Sequence, residues 1–417
     1  MSEALSVATR STETRTAILR AAAVEFNANG ITPAALGNIA KNIGLTRGAI
    51  YSYFDDHSDL LTACYEFSCD FLLSSLAAAK EQTASPLDTI ARFVEIVMAE
   101  DAPEVATVSE LALLNPTQHT HILARHAAVI DGVKDIIEDG IRQQQMRRLD
   151  SYLVSQIILG YVSWPALATR WSQNIAPIPH SEIVVTMTDV LLRGSVSLPH
   201  DQLKVTPSYL SRAMLPATSI FDPETVTETK REALLARGSW LFNQKGIDSA
   251  SLDTVAEHYG VSKAVIYHNV GKKNDFVTAC YRRAFEIFRT ASGKMVASTE
   301  PPSEAIATAI FSIVHAYLSP DISPLAPTVG FGALAPEVRE EMLDAGYGLF
   351  KDYSGALTRA QDAGHARALS VTGQLILMPG LFEWTPKWRT NASPEETVRI
   401  ASEIARFWAF GLAAEGH

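Results

Sequence analysis

Two short stretches of the chain hold a glycine, a hydroxyl and a cation in the same order: Gly44-Leu45-Thr46-Arg47 and Gly260-Val261-Ser262-Lys263. The glycine can turn the chain, and the Thr or Ser hydroxyl can cap a following helix by accepting a backbone N–H. Arg47 and Lys263 then stand at the exposed start of that helix, where a cationic donor reaches guanine edges or phosphate oxygens. Tyr51, Tyr53, Tyr267 and His268 follow closely and add hydroxyl and ring donors suited to phosphate. No P-loop, G-x-G-x-x-G, G-x-S-x-G or H-E-x-x-H motif is present, so the chain does not read as an enzyme.

The elements that must position these residues occur twice. Residues 26–65 align without a gap on 242–281, a constant shift of 216, and a shift of about half the 417-residue chain implies two copies of one unit. Identical pairs include Phe26 with Phe242, Gly30 with Gly246, Leu36 with Leu252, Ala40 with Ala256, Gly44 with Gly260 and Tyr51 with Tyr267; the run Thr62-Ala63-Cys64-Tyr65 recurs whole at 278–281. Ile18, Leu19, Ala22 and Phe26 share one face of a first helix, and Leu36, Ile39, Ala40 and Ile43 one face of a short second helix. Leu234, Leu235, Gly238 and Phe242, then Leu252, Val255, Ala256 and Tyr259, repeat both spacings. Ser58 and Asn274 are expected to cap a long helix carrying Cys64 or Cys280. Between the copies, 199–225 has four prolines and no sustained helical period, so it reads as a linker. Two short helices joined at a glycine describe a helix-turn-helix; an αα-hairpin shares the spacing, and the cations favour the DNA-binding reading.

The stretch Gly44-Leu45-Thr46-Arg47-Gly48-Ala49-Ile50-Tyr51-Ser52-Tyr53-Phe54, followed by Asp59-Leu60-Leu61, resembles the DNA-binding segment of the TetR family of bacterial transcriptional repressors, and residues 260–268 are similar. The chain thus resembles two complete TetR-type units fused head to tail. The resemblance implies an all-α chain: a first helix-turn-helix domain over 12–58, a helical ligand-binding and dimerisation bundle over 59–198, the linker 199–225, a second helix-turn-helix domain over 226–274 and a second bundle over 275–417. It also implies that Arg47 or Lys263 and their neighbours lie in the major groove, while Tyr51 or Tyr267, the polar ring two residues on and a Lys opening the next helix hold phosphates. The residues expected on DNA are Thr32, Thr46, Arg47, Gly48, Tyr51, Ser52, Tyr53, His57, Ser262, Lys263, Ala264, Tyr267, His268 and Lys273. The copies depart from the family pattern differently. Copy one has His57 in place of the Lys, whereas copy two keeps Lys273 but has Asn269-Val270 in place of an aromatic pair. Copy two is therefore expected to bind more weakly or to read another sequence. The alternative is one working head, with copy two only a built-in dimerisation and sensing partner.

The net charge of −11 weighs against a chain attracted to nucleic acid everywhere. The acid lies outside the heads, since 10–59 holds five basic and five acidic residues and 227–275 holds seven and six. Three cysteines, no apolar run of eighteen residues and no signal-peptide pattern in the first twenty residues point to a cytoplasmic protein without membrane span or metal; no cofactor is expected. His119, His121 and His126 lack zinc-helix spacing, and Arg142, Arg147 and Arg148 read as a solvated helix end.

In the family the bundle encloses a ligand cavity and its last two helices pack on a partner; the counterparts here are 151–171 with 181–198, and 370–388 with 393–412. Trp164, Trp171, Phe382, Trp384 and Trp388 cluster before each final helix, where they either pack the dimerisation surface or wall a pocket. The Trp384-to-Trp388 stretch followed by Pro394-Glu395-Glu396 resembles a TetR subgroup associated with acyl-CoA or other hydrophobic catabolic ligands. The expectation is a ligand-responsive repressor released from double-stranded operator DNA by a small hydrophobic effector such as an acyl-CoA or aromatic catabolite. Its two units would form a pseudo-dimer within one chain, with further homo-oligomerisation on DNA left open.

Overall fold

The computed structural model describes residues 2–415 apart from 32–34, 109, 169, 211–222, 248–249, 259, 261 and 389–391. Thr32 and the middle of the linker lie outside the described residues. The first half comprises α1 (Ser2–Asn29), α2 (Ala35–Asn42), α3 (Arg47–Ile50), α4 (His57–Gln82), α5 (Pro86–Val97), α6 (Pro116–Arg142), α7 (Ser151–Ala168) and α8 (His180–Arg193). The second comprises α9 (Pro223–Lys245), α10 (Leu252–His258), α11 (Lys263–Val270), α12 (Lys273–Val296), α13 (Pro302–Leu318), α14 (Pro336–Asp362), α15 (Val371–Leu377), α16 (Thr385–Trp388) and α17 (Pro394–Phe410). Among the described residues there is no strand, only two isolated β-bridges.

The helical periods become cores. Ile18, Leu19, Ala22 and Phe26 of α1 are buried against Leu36, Ile39 and Ala40 of α2, Ile50 of α3, and Leu60, Leu61 and Cys64 of α4, forming a core separate from the rest. At roughly 1.5–3 kcal/mol per large apolar side chain, this burial, rather than the propensity of two helices of eight and four residues, holds the head together. The second head has no such separation, since Leu235, Phe242, Val255, Ile266 and Phe276 join one continuous core with both bundles. Of the described helices, α4 alone has the length and apolar content of a membrane span, and most of that stretch is buried inside the fold.

Three local expectations are corrected. Asp56, not Ser58, caps α4 by accepting from the Asp59 amide at 2.8 Å, and Lys272, not Asn274, precedes α12. The linker's expected end at 225 falls inside α9, which already starts at Pro223. The single helix expected over 370–388 is interrupted: α15 ends at Leu377, a 3-10 turn spans Met378–Leu381, and α16 follows. Pro379 has no amide to continue the ladder, and Gly380 sits where α7 crosses, its Cβ position 3.0 Å from the Gly160 carbonyl oxygen. A side chain on Gly160 would in turn collide with the Gly380 carbonyl, so the two backbones approach to a distance only glycine permits.

The halves meet through matched contacts. The Arg147 amide donates to Leu412 O and the Arg367 amide to Ser195 O, both at 2.9 Å. The bridges Met146–Ala413 and Val196–Ala366 repeat this reciprocity, as do the Ala414 amide on Gln145 O and the Ser197 amide on His365 O. The Arg147 guanidinium reaches Gly411 O and the Arg367 guanidinium Gly194 O, at 3.0 Å for Nε and Nη1 respectively. Arg147 therefore does not belong to a solvated helix end; it is held between the halves, where burial, with Arg406 adding, pushes its pKa down to about 10. The start of the linker is also anchored: Leu203 and Leu210 are buried, and Ser208 O accepts from Ser312 Oγ at 2.7 Å.

Candidate nucleic-acid interface and effector cavity

In the first head Thr46 adopts the extended conformation of a cap (φ −89°, ψ 154°), and its Oγ1 accepts from the Ala49 amide at 3.2 Å. Gly44 makes the preceding turn at φ +70°, as Gly260 does at φ +61°. With Ile50 and Phe54 buried, Thr46, Arg47, Gly48, Tyr51 and Ser52 are left exposed, and Tyr53 is half-buried. The guanidinium of Arg15 lies 5.0 Å from the Phe54 ring centroid, bracing the segment that follows α3 on α1. His57 is placed differently. Its Nε2 is buried with no partner among the described residues and its ring meets Phe26 edge-on, while burial, with Arg47 adding and Asp56 opposing, lowers its pKa. This nitrogen points into the head rather than toward the exposed face.

In the second head Ser262 has cap geometry (φ −75°, ψ 149°) without a side-chain cap bond. Lys263, Ala264, Tyr267 and His268 are exposed and Lys273 is half-buried. The Lys263 ammonium is taken by Asp253 Oδ2 at 2.9 Å, an interaction that raises its pKa. The counterpart of Asp253 in the first copy is Gly37, so Arg47 faces no such carboxylate. Val270 is buried where Phe54 sits in copy one, and Asn269 Nδ2 turns back onto Val265 O at 2.7 Å.

Each head is tied to its bundle by residues that the periodicity argument passed over. Buried Asn27 donates to Val105 O at 3.0 Å and accepts from the Thr107 amide at 3.2 Å; buried Asn243 donates to Pro324 O at 2.9 Å and accepts from the Ala326 amide at 2.8 Å. The repeated Thr-Ala-Cys-Tyr run serves the same junction. Cys64 and Cys280 face Leu19 O and Leu235 O, Tyr65 accepts from the Glu110 amide at 3.3 Å, and Tyr281 donates to Val329 O at 2.6 Å. Phe-Asn stands at both 26–27 and 242–243, the sequence signal that could have marked these residues.

The five aromatics divide between two cavities. One, about 170 Å3, lies where the second bundle meets α7 and the turn after it, and takes Trp164, Trp171 and Phe382 as walls. The other, about 150 Å3, lies where both halves meet beneath the heads and is lined by Trp164, Trp384 and Trp388. Trp164 Nε1 donates to Ile376 O at 2.7 Å across the halves, and Trp171 packs 4.6 Å from Phe331. Trp388 stacks on His126 at 4.7 Å, and burial, with Lys387 adding, pushes that imidazole's pKa down to about 4. Lys387 is itself pushed down to about 8 by burial, against the attraction of Glu110. Glu383 stands in the wall common to both cavities. It accepts from the Tyr317 hydroxyl at 2.7 Å, and burial, against that bond, pushes its pKa up to about 8. No sequence pattern singled Glu383 out.

Contacts at the junction cross between halves. Arg170, just past the end of α7, donates to Asn27 O and Ala28 O at the end of α1 and lies 5.5 Å from the Phe331 ring centroid of the second half. Gly332 abuts Asn29 O of α1, and the Glu110 carboxylate fills the space a side chain on Gly246 would need.

Comparison with known proteins agrees with this geometry. The family profile described as bacterial regulatory proteins, tetR family, matches residues 18–64 and again 234–280, and a tetracyclin repressor-like C-terminal domain profile matches 87–195. The HTH-type transcriptional regulator AcrR of Shigella flexneri is 48% identical over 56 residues, 13% of this chain and 26% of that protein, so the chain spans about a quarter of that relative's length. Among solved structures, PfmR from Thermus thermophilus is similar at 21% identity and a TM-score of 0.36, over 42% of this chain and 96% of that one. AibR, solved with isovaleryl coenzyme A and operator DNA, is similar at 20% identity and a TM-score of 0.36, over 43% and 97%. Two helix-turn-helix domains, each followed by a helical region, thus place the chain in the tetR family of bacterial regulatory proteins, with two of the family's units in tandem.

Proposed function

We propose that the chain is a cytoplasmic, ligand-responsive repressor whose two units form a pseudo-dimer within one polypeptide. It is a DNA-binding regulator, not an enzyme. The observation that carries this reading is the reciprocal pairing of Arg147 with 411–412 and of Arg367 with 194–195, the contact pattern of an isologous dimer. Helix-turn-helix dimers read half-sites about 34–36 Å apart, and a frame of this kind can hold two heads at a fixed separation.

Release comes from the second bundle. Of acyl-CoA and aromatic effectors, the cavity favours the aromatic class, since seven aromatic side chains line it and no described Lys, Arg or His lines it to meet phosphates. An occupant would press on Trp171 and through it on Phe331, next to the loop that Asn243 and Tyr281 grip and against the end of α1. Effector and operator would then favour different arrangements of the heads, each weakening the other's binding. The Lys263–Asp253 pair favours a second reading, in which only the first head reads bases. Footprinting on the protein's own upstream region tests both: two protected half-sites support two working heads, and one supports the second reading.

A further inference from the structure

The cavity against the second bundle is chemically one-sided. Trp164 and Trp171 from the first half line it together with Phe285, Phe288, Phe350 and Phe382, and Glu383 is the one described residue in its lining that can carry a full charge near neutral pH. Tyr317 satisfies Oε1 of Glu383, but Oε2 is buried with no partner among the described residues. A second polar group is stranded in the same lining: Tyr353 is 7% exposed and its hydroxyl has no partner among them either. Lys387, four residues beyond Glu383, lines the junction cavity and is absent from this one. Leaving two buried polar groups unsatisfied costs about 1–3 kcal/mol each, a cost that a ligand placing a donor between them would remove.

Resting on the effector-responsive reading above, we propose that the effector is a small arylalkylamine, its ring held among the tryptophan and phenylalanine side chains and its ammonium donating to Glu383 Oε2 and Tyr353 Oη. Aromatic faces around a carboxylate suit an organic cation, which gains from both the ring quadrupoles and the charge. The size agrees, because a dry cavity of about 150 Å3 accommodates a single benzene ring. In the empty cavity burial pushes the Glu383 carboxyl up to about 8, so an ammonium binding near neutral pH displaces its proton to solvent.

The test is titration of the full chain with benzylamine, benzyl alcohol, toluene and phenylacetate, read by the change in tryptophan fluorescence, on the wild type and on Glu383→Gln. The proposal expects benzylamine to bind at least about tenfold more tightly than the other three, the worth of one charge-assisted hydrogen bond. Glu383→Gln should abolish that preference while retaining toluene binding, which shows the variant's cavity intact. Equal affinity for benzylamine, benzyl alcohol and toluene, tightest binding of phenylacetate, an unchanged preference in Glu383→Gln, or no binding of any probe would overturn it. Operator footprints run without probes judge the regulator reading separately, so failure of the amine assignment leaves that reading standing.

Discussion

Replacing Glu383 by glutamine should change how stability depends on pH, with a sign and size that follow from its surroundings. In the unfolded chain the carboxyl ionises near its ordinary value of 4.5, whereas in the fold burial holds the proton to about 8. Between these values the folded state binds the extra proton, so the group's contribution to stability is lost as pH rises through that window. Worked through the linkage relation, the loss between pH 5 and pH 7 is about 2–3 kcal/mol. His126 acts in the opposite sense. Its folded pKa of about 4 lies below the ordinary 6.5, so the unfolded chain binds the extra proton and stability grows as pH rises through that interval, by about 2 kcal/mol between pH 5 and pH 7. The two trends nearly cancel in the wild type, and the informative quantity is the difference between wild type and Glu383→Gln. Urea unfolding followed by tryptophan fluorescence at pH 5, 6 and 7 should show the wild type losing about 2–3 kcal/mol relative to the variant across the series. A difference that stays flat, or that grows in the wild type's favour, would refute the placement of a buried, protonated carboxyl at this wall.

Three further perturbations follow. Arg47→Ala should weaken operator binding about 5- to 150-fold in gel-shift titrations, the range for one base-reading contact, and Lys263→Ala should cost less because Asp253 already holds that ammonium; equal losses would contradict the ranking. Asn243→Ala strips partners from a buried amide and a buried carbonyl and should cost about 2–4 kcal/mol in denaturant unfolding, with operator affinity becoming less sensitive to effector; a change under half a kilocalorie would dismiss the junction as a structural tie. Removing both Arg147 and Arg367 side chains should lower the unfolding midpoint more than either removal alone, each deleting a charge-assisted bond of about 1.5–3 kcal/mol across the halves. Wild-type stability in the double variant would mean that these guanidiniums hold nothing.

The heads were legible because two copies display the same short-range physics: apolar residues at helical spacing, a glycine at the turn, a hydroxyl at the cap, and Arg47 or Lys263 left exposed by the burial of Ile50 or Ile266. Long-range pairings left no such trace. Asp253 differs from Gly37 within an otherwise matching repeat, but nothing local says that its carboxylate reaches Lys263. Arg147 read as solvated because its partner, Gly411 O, lies in the other half of the chain. Glu383 depends on Tyr317, 66 residues away, and on burial that no periodicity records. The broken helix at Leu377 was foreshadowed by Pro379-Gly380 but hidden by the apolar run around it. The aromatic cluster was visible as composition; its division between two cavities, one of them lined by Gly160 and Gly380, depends on contacts between residues far apart in the chain.

The central claim is that one chain presents two reading heads on one pseudo-twofold frame. Footprinting at a protein concentration where sedimentation shows single chains tests it most directly. Two protected half-sites, about one or two helical turns apart, are expected at one chain per operator. Protection that appears only when two chains assemble, or that never extends beyond one half-site, would contradict it.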